Sequence, residues 1–423
     1  MIPELRERFN RNFSPERYAA LRELLDSRCG VPVEFRVAET PVFVPRALLD
    51  QMAGAGAELT RSLMSNPPYL ASARKAIPKG YLVAGETTHP NFLTADFALA
   101  ADPGGSGLQP RLVELQAFPS VFAYQALLCE GYRIAFDLPE GLGCFLSGLT
   151  EEGYWNLLGK TILGGYSPRN VVLTEIDPEN QKTRPDFEIT AQKFGIGVED
   201  ISQLFAIGNK LHHHTGDGWM APVRRIYNRA IADELISRRV RLPFDLTHPW
   251  TVEWAGHPNW YFLISKFSIP WLTRPPFPHP AVPPAVFLDE FLDGPGRSQL
   301  EAQGVPVPAN TGPDTTYTEL LLKPLFSFAG KGIQFDPTQG DLEEIHPAQR
   351  SSYLLQQRLR FEPTIETPHG LTQAEFRILY LWPDGGALTP ALSLVRLGRG
   401  KMMGVDHNKN QEWVGASAAF FPL

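Results

Sequence analysis

Apolar and polar positions alternate along this chain in two rhythms, and each change of rhythm locates an element. Tyr18, Leu21, Leu24 and Leu25 recur at helical spacing. Ser14, Pro15 and Glu16 precede them. The hydroxyl can cap free N–H groups, and proline is tolerated in a first helical turn. Gly30 stops the run, so residues 1–30 are predicted helical. A short strand over Val33–Val37 and a helix from Pro45 to Leu63 follow.

The rhythm then shortens to two. Thr94–Ala101 reads as a strand, DPGGSG as a turn rich in residues that accept positive φ, and RLVELQAFPS as a second strand. Side chains alternate along a strand, so Glu114 and Gln116 share a face and can join Asp96 of the neighbouring strand. Hard oxygen donors grouped in this way suit Mg²⁺. They would equally serve as surface carboxylates on a hairpin.

Residues 126–250 read as α/β. An apolar strand over Asn170–Ile176 exits into the polar run DPENQKTRPDF, a common place for ligand groups. Phe187–Gly195 leads into a helix. The consecutive His212, His213 and His214 point different ways, which favours a solvated loop over a metal site. Arg224–Arg229 is a strand-like run with cations at both ends, either a charged edge or an anion contact. Lys266 interrupts the apolar run His257–Leu272 and must snorkel or face an anion.

Leu320–Ile333, LLLKPLFSFAGKGI, carries the clearest chemical signal. An apolar strand bears Lys323, and a small-residue loop follows with Gly330, Lys331 and Gly332. Backbone N–H groups in such a loop can close around phosphate oxygens, and the lysine adds a point charge. Ser352–Phe361 reads as a strand whose backbone could read an adenine edge. Glu375–Trp382 and Leu388–Leu397 read as a hairpin carrying Arg377 and Arg396. Asp406, Asn408, Asn410 and Glu412 form a second candidate metal locus, although HNKNQE reads more as a polar turn.

Composition narrows the picture. The length of 423 residues allows roughly two to three domains. Hydrophobic content of 43% and charged content of 20% describe a globular chain. A net charge of −7 argues against nucleic acid or an anionic membrane as partner. The three cysteines are far apart and form no CxxC pair, so reduced, buried thiols are expected. The charged start MIPELRERFNRNF lacks an apolar signal region, and a cytoplasmic location is expected. The 39 prolines, many between residues 273 and 313, imply stiff connections. Gly330-Lys331-Gly332 is not followed by Ser or Thr, so a P-loop is excluded. HExxH and GxSxG are absent as well.

The order of these pieces resembles the ATP-grasp superfamily, and within it the circularly permuted branch that includes the synthetase domain of glutathionylspermidine synthase. There the metal strands precede the lysine strand, as Asp96, then VELQAFPS, then Lys266, then LLLKPLFSFAGKGI do here. The resemblance runs over most of the chain from about residue 90. It implies an α/β (α+β) ATP-grasp-like fold with permuted strand order. Residues 1–90 would form a cap, 91–260 the metal-strand hairpin with a pre-ATP-grasp-type α/β substrate region, and 261–423 the ATP-binding half. It further implies that Asp96, Glu114 and Gln116 hold Mg²⁺, Gln116 standing where the family usually has Asn. Lys266 and Lys323 would contact ATP phosphates, under a loop that includes Ser327, Gly330, Lys331 and Gly332. Gln356, Gln357 and Leu359 would line the adenine pocket, and Arg377 or Arg396 would steady the transferred phosphoryl group. The implied activity joins a small-molecule or peptide carboxylate to an amine. A catalytically silent ATP-binding scaffold is the alternative.

Overall fold

The computed structural model describes all residues except 102–106, 216–217, 276–277, 328–329, 405–407 and 409. Its principal sheet runs β1 (Val42–Phe43), β19 (Gly415–Pro422), β18 (Thr389–Gly398), β17 (Gly370–Leu381), β2 (Phe92–Ala101) and β3 (Leu108–Gln116). β16 (Pro363–Thr367) pairs with β17, and β4 (Leu142–Gly143) with β19. β1 is parallel to β19, and the other pairs are antiparallel. Strands from both ends of the chain thus share one sheet.

Alternation along these strands sorts the side chains. One face buries Leu93, Phe97, Phe376, Ile378, Tyr380 and Val395 in the core shared with helix Arg46–Met64. Full burial of such a side chain contributes about 1.5–3 kcal/mol. The residues between them, Asp96, Glu375, Arg377 and Arg396, emerge on the opposite face. Farther along β17 and β18 that face turns apolar, and Leu379, Leu381, Leu392 and Leu394 share a second core with helix Phe122–Phe136. The close seat of helix Arg46–Met64 depends on Gly56. A Cβ there would collide with the Tyr380 hydroxyl and lie 2.9 Å from Ala95 Cβ. Gly56→Val is expected to destabilise by about 1–3 kcal/mol, read from the urea midpoint, because overpacking forces the helix off the sheet.

A second sheet is all parallel, in the order β11 (Glu253–Ala255), β10 (Arg225–Asn228), β5 (Val171–Glu175), β6 (Gly197–Asp200). A third is antiparallel: β12 (Ala285–Phe287), β15 (Tyr353–Gln357), β13 (Leu320–Pro324), β14 (Gln334–Phe335). The smallest comprises β7 (Phe205–Ile207), β8 (Lys210–His214) and β9 (Met220–Pro222).

Several local expectations match the elements. Ser14 accepts a hydrogen bond from Arg17 N at 3.3 Å at the head of helix Pro15–Cys29, and Gly30 closes it at φ 71°. The three thiols are free and buried. Others need correction. Val33–Val37 forms only a single bridge, Val37 to Ala416, because the Val33 N–H is drawn to Asp26 Oδ1 instead. The histidine run is not a loop. It lies in β8, where alternation buries His213 and leaves His212 and His214 beside Phe205. β10 lies between two other strands, so Arg224–Arg229 is no sheet edge. The segment around Lys266 folds as two short helices, Asn259–Leu263 and Ser268–Leu272. The strand expected over Ser352–Phe361 ends at Gln357. The strand Gly415–Pro422 was not expected at all. Its alternation is carried by glycine, alanine and serine, which signal a strand only weakly. Most of the DPGGSG turn lies outside the described residues. No helix among them is long and apolar enough to cross a membrane.

Candidate functional site

A cleft of about 770 Å³ opens between the principal sheet and the antiparallel sheet that carries Lys323, with the exit loops of the parallel sheet at one end. From the principal sheet it receives Glu114 and Gln116 of β3, Glu375 and Arg377 of β17, and Arg396 of β18. From the opposite sheet come Lys323 of β13 and Gln356 and Gln357 of β15, with Leu359 just beyond. Lys266 enters from the turn between its two short helices.

The charges are arranged in sequence. Lys266 Nζ lies 3.5 Å from Glu114 Oε2 and donates to the Ser327 backbone carbonyl. Lys323 Nζ donates to Gln356 Oε1 at 2.6 Å. Burial pulls the Lys323 amine down to about 8, with nearby Glu114 opposing the shift and Lys266 adding to it. Gln116 donates to Glu114 Oε1 at 3.0 Å and orients that carboxylate.

Asp96 occupies a different position from the one expected of a metal ligand. Its carboxylate accepts from Arg377 Nε at 2.6 Å and Nη2 at 2.7 Å, and from Arg396 Nη2 at 3.0 Å. Burial alone would raise its pKa, but the two guanidiniums hold it below the usual carboxylate value. With both oxygens engaged, Asp96 aims two arginines, and it is not among the residues that line the cleft.

Glu375, which sequence reasoning passed over, brings a second carboxylate to the cleft. Its Oε1 lies 2.7 Å from Arg396 Nη1, yet that contact is too misaligned to count as a hydrogen bond. Burial pushes the Glu375 carboxyl up to about 7. The Gln356 amide nitrogen is likewise buried without a partner among the described residues. Orphaned polar atoms on a cleft wall are the mark of a site built for something polar.

The backbone geometry of the loop after β13 is that of a turn able to approach a ligand. Gly330 and Gly332 have φ of 73° and 77°. Gly330 and Ile333 reach the cleft wall, whereas Lys331 and Gly332 are exposed. Phe328 and Ala329 of this loop lie outside the described residues.

The chain matches the apo-form structure of a glutathione synthetase-like effector, GSS30, from Globodera pallida. The match has a TM-score of 0.54 and 12% sequence identity, over 96% of each chain. The fold is glutathione synthetase-like. An ATP-grasp-like architecture is what that likeness suggests, and at this identity it extends to the fold alone. No protein-family model and no curated protein matches the sequence.

Within this fold the adenine-reading expectation for β15 needs revision. The backbone of β15 is already paired, Gln356 with Ala285 on one side and Leu321 on the other, and Gln357 N donates to Pro284 O. The backbone of Gln356 and Gln357 is therefore taken up within the sheet. Two residues of the C-terminal candidate locus have structural duties. Asn408 ties down its own loop by donating to Met402 O at 2.9 Å and Gly404 O at 3.2 Å. Glu412 pairs with His369 at 2.9 Å. Asp406 lies outside the described residues.

Two further stretches were legible only in part. The polar exit of β5 does line the cleft, through Asn180, Gln181 and Thr183. Of the arginines in the β10 run, Arg225 is buried between Glu253 and Asp384, at 2.9 and 2.7 Å, and serves the scaffold. Arg229 faces the cleft while paired with Asp186 at 3.1 Å.

Proposed function

We propose that this protein is an ATP-dependent carboxylate–amine ligase that works through an acyl phosphate. One observation carries the reading: Glu114 from the early hairpin and Lys266 and Lys323 from the later half of the chain face a single cleft, under a glycine loop. A carboxylate is a poor electrophile, and phosphorylating it creates a leaving group that an amine can displace. Lys266 and Lys323 would bind the triphosphate of the substrate ATP, Leu359 and the flanks of Gln356 and Gln357 would border its base, and Arg377 and Arg396 would balance charge on the phosphoryl group in flight. Ser327, Gly330, Lys331 and Gly332 belong to the loop that would exclude water from the acyl phosphate.

Among the described residues no cluster of three or more acidic, histidine or cysteine side chains is built to hold a metal alone. Mg²⁺ needs only one or two carboxylates beside phosphate oxygens. Glu114 and Glu375, with the Gln116 amide, fit that demand, and the ion would neutralise phosphate charge. The early position of the metal strands and the way β17 inserts beside β2 support a permuted ATP-grasp order. A cytoplasmic location and small-molecule or peptide partners are part of the same reading.

The test is ADP release with ATP, Mg²⁺ and mixed carboxylates and amines. Glu114→Ala is expected to lower turnover at least about 100-fold, the scale of losing one metal-binding or charge-stabilising group. Full turnover in that variant would sink the assignment. The engagement of Asp96 by two arginines favours one rival, an ATP-binding scaffold without turnover. It would bind a nonhydrolysable ATP analogue and release no ADP with any substrate mixture.

A further inference from the structure

The part of the cleft beside the parallel sheet is chemically distinct, and the nucleotide reading does not use it. It opens where the order of the parallel strands reverses. The strand order is β11-β10-β5-β6, so the chain leaves β5 first towards β6 and later returns on the other side to β10 and β11. In open parallel sheets the crevice beyond the carboxyl ends of the strands at such a reversal is where ligands bind. Here those ends are Glu175, the last residue of β5, and Arg229, the first residue after β10, whose N–H donates to Thr174 O at 2.8 Å. Both line the cleft, with Glu234 and the β5 exit residues Asn180, Gln181 and Lys182.

The charge balance at this reversal is unusual. Arg229 is matched by Asp186 at 3.1 Å, and Arg238 by Asp177 at 3.3 Å. Glu175 is only 5% exposed, and its Oε1 accepts from Ile176 N at 2.8 Å. Glu234 accepts a long hydrogen bond of 3.5 Å from Gln181. Neither carboxylate has an ion-pair partner among the described residues. Three other polar atoms of residues that line the cleft are buried with no partner among the described residues: the Tyr124 hydroxyl, Gln125 Oε1 and Arg229 Nε.

We infer that this crevice binds the amine substrate as its ammonium form, with Glu175 and Glu234 as the counter-charges. The inference rests on the ligase reading for the substrate's role, though not for the existence of the subsite. Arg229 and Arg238 act on Glu175 from a distance, but an ammonium arriving here would give both carboxylates a direct partner and donate to their unfilled lone pairs. Burial pushes the Glu175 carboxyl up to about 8, and a cation beside it restores the charged form. The subsite selects a protonated primary amine over an uncharged molecule of equal size.

Calorimetric titration of the full chain with n-pentylammonium chloride, 1-pentanol and a nonhydrolysable ATP analogue with Mg²⁺ tests this. The natural chain should bind pentylammonium and not pentanol. Glu175→Gln, which keeps the shape and removes the charge, should weaken pentylammonium binding at least about tenfold, the scale of one charge-assisted hydrogen bond. It should leave the ATP analogue's affinity unchanged. Glu234→Gln provides a second variant should the first fold poorly. Equal binding of pentanol and pentylammonium, or unchanged pentylammonium affinity in the folded variants, overturns the inference. Pentylammonium binding without nucleotide binding would keep the subsite and remove the ligase reading. Nucleotide binding without pentylammonium binding would do the reverse.

Discussion

Asp96→Asn should unfold in urea with about 3–5 kcal/mol less stability than the natural chain. Asp96 is 1% exposed and is the shared counter-charge of Arg377 and Arg396. Breaking a buried ion pair by removing one partner leaves charge in a low-dielectric interior, and that carries a cost of this size. Asparagine keeps the shape, yet it loses the negative charge and turns an N–H donor toward guanidiniums that are donors themselves. Glu375 can offset only part of the excess, because burial already pushes its carboxyl up to about 7. If Asp96 instead held a metal, Asp96→Asn would cost less than about 1 kcal/mol and would shift the Mg²⁺ dependence of turnover. Equilibrium unfolding together with a Mg²⁺ titration separates the two roles.

Lys323→Met should bind a nonhydrolysable ATP analogue at least about 30-fold more weakly while folding almost as stably as the natural chain. The binding loss follows from removing one charge-assisted phosphate contact. The stability follows from the cost of burying the charge. The folded-state pKa of Lys323 lies at about 8, below the unfolded value of about 10.4. A depressed lysine makes folding harder wherever both states are protonated. Below pH 8 that cost is fully present, about 3 kcal/mol, and it fades as pH rises from 8 towards 10.4 because the folded chain releases its proton first. Methionine escapes this cost and leaves Gln356 Oε1 without its donor, a loss of about 1–3 kcal/mol, so the two changes nearly cancel. In the natural chain, affinity for the analogue should be flat below pH 8 and decline above it as the lysine loses its charge. Calorimetry across pH 7–9.5, with the Met variant as control, checks both parts. An affinity that stays flat to pH 9.5 would remove Lys323 from the phosphate site.

The parts of this molecule that were legible beforehand are those whose signal is local. The Ser14 cap, the helix it starts and the lysine strand with its glycine loop all declare themselves within a few residues. Glu114 and Gln116 could be placed on one face because strand periodicity needs no distant partner. The remainder depends on pairings across the chain. Asp96 and Arg377 are 281 positions apart, and nothing near either announces the other. An acidic residue on a strand reads alike whether it awaits a cation or clasps an arginine, so the two guanidiniums on Asp96 could not be foreseen. Glu375 looked like an ordinary start to an apolar strand until β2 was laid against β17. Glu175 sat at the end of a strand correctly located. Its importance comes from the reversal of the parallel sheet, which is a property of topology and not of any short stretch.

The interleaving of early and late strands in the principal sheet also bears on how the chain reaches its native state. β17 fills the place between β2 and β18, so the β2–β3 hairpin emerges from the ribosome with one hydrogen-bonding edge bare. That edge must wait for more than 250 further residues before its neighbour is made. Pairings so distant in sequence close slowly, and an unpaired apolar edge invites strands from other molecules in the meantime. Yield during expression should therefore respond more to growth temperature and chaperone supply than the finished protein's resistance to urea would imply.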